Sequence, residues 1–440
     1  MSFLRNAGSL AITSVVAIPI GFLTNVILAR YLGPEEMGHY SVLQRFTTIA
    51  FVLCLLGIPS ASIYRLRKTK IDARVVLSTS LSIVLCSSSV VTMILLGVGE
   101  WLSASALGSP PQLAYRVALL LIPAQATGQT MMAMSRALDR FALGNGYLLS
   151  VWIGSFVALS LGLIVFDFEL VGALTLLSAV HLASTTYISV RVLAITGSRL
   201  RTSLRDVAET TRYGLKSQAQ VVLTHLHENV DVLILAALLD APDQVAFYAI
   251  ATSIVNRVRI LPASIANAFL PHVAGLDRGA AGELAARASR HSFVWIFSIA
   301  LTAALATPIV IPLAYGERFQ DVVRLILILL PATVFLSTSG LLARYFMAIN
   351  HQGVVIRTQS CSTALNVALN LALIPKLGID GAALTSLLSY AAELTLITAA
   401  FRRCSGIPVR RLFLLERGDW LDYRLRITSY WRRLNRPGSD

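Results

Sequence analysis

Charged residues are scarce in this sequence: only 14% of its 440 residues are charged, while 55% are hydrophobic. A soluble domain has about a quarter of its residues charged, so this balance excludes an ordinary soluble protein. Long runs carry no charge at all, and the longest are 6–29, 75–99, 141–166 and 292–316. Because a helix needs roughly 20 apolar residues to cross the hydrocarbon core of a bilayer, each run predicts a transmembrane helix.

The sequence also lacks the motifs on which many catalytic sites are built. It has no Gly-rich phosphate loop with its lysine, no Gly-x-Ser-x-Gly turn and no His-Glu-x-x-His helix. The four cysteines, Cys54, Cys86, Cys361 and Cys404, show neither metal-ligand nor disulfide spacing. We therefore expect no enzymatic activity, no catalytic residue, no metal site and no cofactor.

What the sequence does contain is apolar helical segments along almost its whole length. They predict an all-α polytopic membrane protein with about twelve transmembrane helices. The expected spans are 7–30, 38–64, 75–98, 113–136, 141–166, 170–191, 214–239, 244–272, 290–314, 322–345, 355–375 and 380–402.

Two stretches of the sequence repeat each other. RYLGPEEMGHY after the first span returns as LLDAPDQVAFY after the seventh, with Pro34 matching Pro242 and Tyr40 matching Tyr248 at an offset of 208. Because an even number of spans separates the copies, both halves enter the membrane the same way round, related by an axis along the membrane normal. We therefore predict two pseudo-symmetric six-helix bundles around a central cavity, which is typical of transporters.

The repeat also gives the predicted domain organisation, an N-terminal bundle at 1–195 and a C-terminal bundle at 214–402. In the connection 196–213, arginines alternate with apolar residues, which predicts a basic amphipathic helix on the inner leaflet. The tail 403–440 mixes aromatic residues with arginines in the same way, so we expect a cytoplasmic anchor on anionic lipids. A monomer is expected, because the internal repeat already supplies a pseudo-dimer.

Basic residues are distributed unevenly between the connections. Of the 37 Lys and Arg residues, only four fall in the loops of one side: Arg30, Arg318, Arg324 and Lys376. The opposite connections and both termini hold nearly all the others. Because positive residues stay on the cytoplasmic side, both termini are predicted to be cytoplasmic. The net charge of +14 is then an orientation signal, and it does not indicate nucleic-acid binding.

Four arginines lie within the predicted spans: Arg45, Arg116, Arg257 and Arg259. A charge within the bilayer costs at least about 2.5 kcal/mol, so each must face protein, water or a ligand. The planar guanidinium binds phosphate oxygens in pairs, which makes these arginines candidates for binding an anionic substrate. Arg116 lies near an outer helix end. Its alternative role is structural, because its long side chain can extend to the membrane surface and needs no ligand there.

Acidic and amide side chains in the seventh and eleventh spans form a second group. Glu228 lies at a depth similar to that of Arg257, so an internal ion pair between them is the alternative to a ligand role. Asp231, Asn366 and Asn370 offer the hard oxygen atoms that a sodium ion or a proton-coupled site uses. Hydrogen bonding between helices is their alternative role. The candidates for cation coupling are Asp231, Asn366, Asn370 and Glu228.

With these residues in view, the sequence resembles the polysaccharide-transport branch of the multidrug/oligosaccharidyl-lipid/polysaccharide exporter superfamily, the Wzx-type flippases. The matching segments are ILARYLGPEEMGHYS, NVDVLIL, FYAIATSIVNRVRILPASIANAFLPHV and LNVALNLALIPKLGIDGAALTS. The resemblance implies a flippase of the bacterial inner membrane for undecaprenyl-diphosphate-linked oligosaccharide, the repeat unit of O-antigen or exopolysaccharide. It also implies that polysaccharide polymerase machinery is a partner and that a cationic cavity opens alternately to each side.

The resemblance also implies roles for individual residues. Cavity arginines of that family receive the diphosphate and sugar, and the positions that match by location are Arg45, Arg257 and Arg259. Some relatives bind a cation through an acid in the seventh span and amide or acid side chains in the eleventh. Asp231, Asn366 and Asn370 match that pattern, except that Asn370 is neutral. The resemblance therefore leaves two alternatives open, coupling to Na+ or H+ and transport without a coupling ion.

Two other classes of function stay open. Export of cationic drugs, as in the multidrug branch of the same superfamily, requires an acidic cavity, and the arginines within the spans argue against it. A membrane polymerase or ligase acting on the same glycans needs a sizeable outer loop. The longest predicted outer loop, around 100–112, has only about fifteen residues.

Overall fold

The computed structural model describes residues 2–68, 71–197, 202–259, 276–416 and 419. Those residues form helices and turns and contain no strand. In chain order the helices are α1 (Ser2–Cys54), α2 (Ile58–Lys68), α3 (Ala73–Gly97), α4 (Gly99–Ala106), α5 (Gln112–Leu119), α6 (Leu121–Ala137), α7 (Phe141–Ile164), α8 (Leu170–Thr196), α9 (Leu204–Leu238), α10 (Pro242–Val258), α11 (Arg278–Tyr315), α12 (Asp321–Ala348) and α13 (Gln352–Ser405). Two short 3-10 helices lie at Glu317–Phe319 and Val409–Leu412.

The predicted all-α membrane architecture is confirmed. Within the described ranges, nine helical stretches are long and apolar enough to cross a membrane. A helix lies in every predicted span, and the eighth span is described as far as residue 259. Large apolar side chains are exposed on these helices, as at Met93, Leu305 and Leu313, whose exposed fractions are 72%, 72% and 75%. Such a surface is unfavourable in water and matches the hydrocarbon of a bilayer.

Two predicted outer loops are kinks inside longer helices. α1 contains the first span and most of the second and bends at Gly33, which has φ 75°. α13 contains the last two spans and bends at Gly378, with φ 57°. Positive φ is tolerated by glycine because it has no Cβ. Pro34 then begins the second part of α1, where its missing N–H leaves no hydrogen bond unmade.

Other boundaries also differ from the prediction. The second span is interrupted, because α1 ends at Cys54 and α2 begins at Ile58 after a turn with Gly57 at φ 72°. Residues 204–213 of the connecting segment are the first turns of α9, where the sequence predicts a separate surface helix. Residues 198–201 of that segment and 417–418 and 420–440 of the basic tail lie outside the described residues. The predicted amphipathic character of the tail falls mostly on those residues and stays a prediction.

The chain divides into two compact units. The first contains Met1–Arg257, Ala306–Leu329 and Gln359–Ser389. Within it, α1 packs against α7 and α9, and α6 packs against α8. All contacts of the candidate site described below are made inside this unit.

The second compact unit contains Val258–Leu305, Leu330–Thr358 and Tyr390–Asp440. Its core is a buried cluster in which Tyr345 stacks edge-on against Phe401 with ring centroids 5.0 Å apart. The arrangement of the chain as two six-helix bundles stays a prediction.

Candidate functional site

The two copies of the repeated sequence meet where α1 crosses α10. Gly38 lies so close to the start of α10 that a Cβ added to it would fall 1.9 Å from the carbonyl oxygen of Pro242. Only glycine permits this approach. The crossing fixes the second part of α1, which carries Arg45, against α10, which carries Arg257.

Arg45 is half-buried and points from α1 towards α9 and α10. Its Nη1 donates a hydrogen bond to Oδ1 of Asn229 at 2.7 Å, and its Nη2 donates to Oγ of Ser253 at 3.4 Å. Both of these acceptors are neutral, so the two hydrogen bonds orient the guanidinium without neutralising its charge.

Arg257 is also half-buried, and it is held by main-chain carbonyls. Its Nη1 donates to the carbonyl oxygen of Ser253 at 2.9 Å, and its Nη2 donates to that of Gly21 at 2.6 Å. The ion pair with Glu228, which was the alternative to a ligand role, is not formed by Arg257, because its guanidinium turns towards the backbone of α1 and α10. Within the described residues, the charge of Arg257 is solvated by dipoles and not paired with an acid.

The contact between Arg45 and Ser253 joins equivalent positions of the repeat. The offset of 208 that relates Pro34 to Pro242 also relates Arg45 to Ser253. The Arg45 and Arg257 side chains share Ser253 as a partner, so both lie where α1 and α10 meet.

The other predicted charged residues occupy different surroundings. Arg116 is exposed on α5, in agreement with the alternative explanation given for it. Arg259 follows directly after the end of α10 and is half-buried, as is Glu228 on α9. The structure thus joins Arg45 and Arg257 through one shared residue and leaves Arg116 out of that arrangement.

Three residues of the second predicted group, Asp231, Asn366 and Asn370, are joined into one buried network around Asp231. This side chain is 5% exposed. Its Oδ2 accepts hydrogen bonds from the hydroxyls of Tyr248 at 2.9 Å and Ser386 at 2.8 Å, and its Oδ1 accepts one from Nδ2 of Asn370 at 2.7 Å. Three donors therefore stabilise a carboxylate that would otherwise be costly to bury.

The two asparagines of α13 extend this network. Nδ2 of Asn370 also donates to Oδ1 of Asn366 at 3.1 Å, and Nδ2 of Asn366 donates to Oγ of Ser389 at 3.3 Å. Oδ1 of Asn370 is buried and accepts no hydrogen bond from the described residues. A buried acceptor without a donor, next to a carboxylate, fits a small cation with hard oxygen ligands.

Several residues of the two groups were not identified from the sequence. Ser253, Tyr248 and Ser386 are common residue types within apolar segments, so their chemistry does not mark them. Tyr248 alone carried a signal, since it is the repeat equivalent of Tyr40. The offset of 208 between the two copies of the repeat, applied to Arg45, also gives Ser253.

Comparisons with known proteins give a family and a fold. The model of a family described as "Polysaccharide biosynthesis protein" matches residues 3–276. A solved structure of the lipid II flippase MurJ, in an inward-closed conformation, is similar with a TM-score of 0.78 and 11% identity, covering 91% of this chain and 88% of that one. No curated protein sequence matches the chain.

Multidrug transporters share the same fold. An inward-facing multidrug resistance MATE family transporter of the MOP superfamily has a TM-score of 0.72 and 16% identity, covering 90% of this chain and 98% of its own. A structure of the MATE multidrug transporter DinF-BH has a TM-score of 0.64 and 16% identity, covering 94% of this chain and 97% of its own.

Proposed function

Because this chain belongs to the polysaccharide biosynthesis protein family, we propose that it is a flippase for undecaprenyl-diphosphate-linked oligosaccharide. The cargo is the repeat unit of O-antigen or exopolysaccharide, moved from the cytoplasmic to the periplasmic leaflet of the bacterial inner membrane. The observation that carries the proposal is the pair of arginines that meet at Ser253 from α1 and α10. Two cations held together within a membrane protein form a site for an anion of more than one charge.

The diphosphate is the part of the cargo that needs this site. Its charges lose hydration on leaving water, and guanidinium groups oriented by neutral acceptors replace that water with directed hydrogen bonds. The polyprenyl tail stays in the lipid, because moving it into protein would gain little. Alternating access of the two predicted halves then exposes the glycan to the opposite side.

Cation coupling is the second part of the proposal. The Asp231 carboxylate and the amide oxygen of Asn370 supply oxygen atoms to which a sodium ion or a proton would bind. The bound cation would favour one of the two access states, so that its gradient drives transport. The protein works as a monomer in this scheme, with polysaccharide polymerase machinery as the consumer of its product.

The decisive experiment is transport of an undecaprenyl-diphosphate oligosaccharide in proteoliposomes. Arg257→Gln and Arg45→Gln should each lower the flipping rate roughly tenfold or more, since a hydrogen bond to a charged group contributes about 1.5–3 kcal/mol. Arg116→Gln removes the same charge at an exposed position and should leave the rate unchanged. Arg257→Lys should retain more activity than Arg257→Gln, because lysine keeps the positive charge but lacks the paired N–H donors of the guanidinium.

Two results would contradict the proposal. One is equal flipping by wild type and both glutamine variants, with equal amounts of folded protein in the membrane. The other is transport of organic cations in place of the anionic lipid, which would favour the multidrug alternative that the shared MATE fold supports.

A further inference from the structure

A pocket lies at the C-terminal end of α13, inside the second compact unit. Its volume is about 750 Å³, a size typical of sites for small ligands. Its lining includes Leu394, Thr398, Arg402, Arg403, Val409 and Phe413. It is therefore formed by the last three turns of the helix and by the segment that folds back after it.

The returning segment is fixed in place by its own packing. α13 ends at Gly406, which takes a left-handed conformation with φ 73°. Ile407 and Leu412 are then buried in the hydrophobic cluster around Phe401. Phe413 packs edge-on against Phe293 with ring centroids 5.1 Å apart. Phe413, which forms part of the apolar wall of the pocket, is thus held by a packed core.

The mouth of the pocket is positively charged. Arg402 and Arg403 are both exposed, and neither forms an ion pair with an acidic side chain of the described residues. Nearby Arg411 differs, because its guanidinium bonds to Glu283 at 2.8 Å and to Glu416 at 2.6 Å. Two guanidinium groups therefore remain available for an anion at the edge of an apolar pocket.

We propose that this pocket binds an anionic phospholipid of the cytoplasmic leaflet. The phosphate lies between Arg402 and Arg403, and an acyl chain lies along Leu394, Val409 and Phe413. Charge complementarity selects an anion, and the apolar wall selects an amphiphile over free phosphate. The charge pattern of the sequence places this helix end at the cytoplasmic surface, where anionic headgroups are found. The proposal holds whichever cargo the protein transports.

The test is lipid retention by the purified full-length protein, measured by native mass spectrometry. Wild type, the double variant Arg402→Gln/Arg403→Gln and Arg410→Gln are each mixed with dioleoyl phosphatidylglycerol or dioleoyl phosphatidylcholine. Arg410 is the matched control, because it is exposed on the same segment but does not line the pocket. Thermal unfolding without added lipid checks that all three proteins are folded.

We expect wild type and Arg410→Gln to retain phosphatidylglycerol better than phosphatidylcholine. The double variant should lose this preference, with an affinity for phosphatidylglycerol lower by roughly tenfold or more, given the contribution of two arginines near an anionic lipid. A further variant, Val409→Asp, should weaken retention of both lipids by placing a charge on the apolar wall.

Three outcomes would overturn the proposal. Equal weakening by Arg410→Gln would mean that only the overall surface charge matters. Equal retention of both lipids by wild type would remove the role of the phosphate charge. Displacement of phosphatidylglycerol by a lower concentration of undecaprenyl diphosphate, with the same dependence on both arginines, would assign the pocket to the transported lipid.

Discussion

At the scale of single residues, the half-buried Arg257 and the buried Asp231 of this protein have different hydrogen-bond partners. Arg257 donates to two main-chain carbonyl oxygens and forms no ion pair with an acidic side chain of the described residues. Asp231 is enclosed by three hydrogen-bond donors, and its carboxylate is nearly inaccessible. The first arrangement suits a ligand that arrives and leaves with each cycle, and the second suits a small ion.

Replacing Asp231 by asparagine tests the cation site. Asp231→Asn keeps the shape and removes the charge, so we expect flipping in proteoliposomes to lose its dependence on an imposed sodium or proton gradient. The flipping rate is measured with and without each gradient. Asp240→Asn removes an exposed acid after the end of α9 and should behave like wild type.

A gradient dependence that persists unchanged in Asp231→Asn would contradict the assignment. Unfolding of the variant would not explain such a result, because loss of fold abolishes transport at all gradients. The melting temperature of each purified variant separates the two effects.

At the scale of helices, the end of α2 is bound firmly to the start of α9. The Arg65 side chain is only 6% exposed and forms an ion pair with Asp206 at 2.7 Å, as well as a hydrogen bond to the Thr210 hydroxyl. Tyr64 stacks on Tyr213 with ring centroids 4.2 Å apart. These contacts explain why residues 204–213 continue α9 as a helix and do not form a separate one on the lipid surface.

The Arg65–Asp206 pair should therefore matter for stability. Arg65→Gln leaves a partly buried carboxylate without its counter-ion, and we expect a loss of about 2–3 kcal/mol in the free energy of unfolding. Arg205→Gln is the control, since the Arg205–Glu209 pair is exposed on both sides, at 87% and 53%. Exposed pairs of this spacing contribute about 0.3–0.5 kcal/mol.

The measurement is thermal unfolding of both purified variants in the same detergent. Equal melting temperatures for Arg65→Gln and Arg205→Gln would show that the contact does not stabilise the junction of α2 and α9. Asp206→Asn alone and combined with Arg65→Gln completes a double-mutant cycle that isolates the pair.

At the scale of the whole molecule, the placement of charge predicts the orientation in the membrane. The connections predicted to be cytoplasmic and both termini carry most of the Lys and Arg residues of a chain with net charge +14. Exposed apolar side chains cover the helices between them. Because positive residues stay on the cytoplasmic side, we predict that the basic connections of this protein are cytoplasmic.

Reporter fusions test that orientation. Green fluorescent protein fused after residue 440 should fluoresce, and alkaline phosphatase at the same point should be inactive, because it folds only after export. Phosphatase inserted after Ser109, an exposed residue of the connection between α4 and α5, should be active. Active phosphatase at the C-terminus would reverse the predicted topology.

The helical spans could be predicted from the sequence, but several of their boundaries could not. Apolar length and absence of charge identify a membrane span, because the bilayer imposes its thickness on every helix. They do not distinguish a loop from a kink: at Gly33 and Gly378 the helix continues through a single residue with positive φ. The interruption at Leu55–Gly57 likewise carries no polar signal.

The sequence by itself determined the residue types that the site needs, and the tertiary structure decided which of them meet. Arg45, Arg257, Asp231, Asn366 and Asn370 stand out from sequence alone, because charged and amide side chains in apolar helices are costly and few. Their partners depend on how helices distant in the sequence cross. Arg257 therefore contacts the backbone at Gly21 and not Glu228, and Asp231 meets donors from α10 and α13 that no local pattern marks.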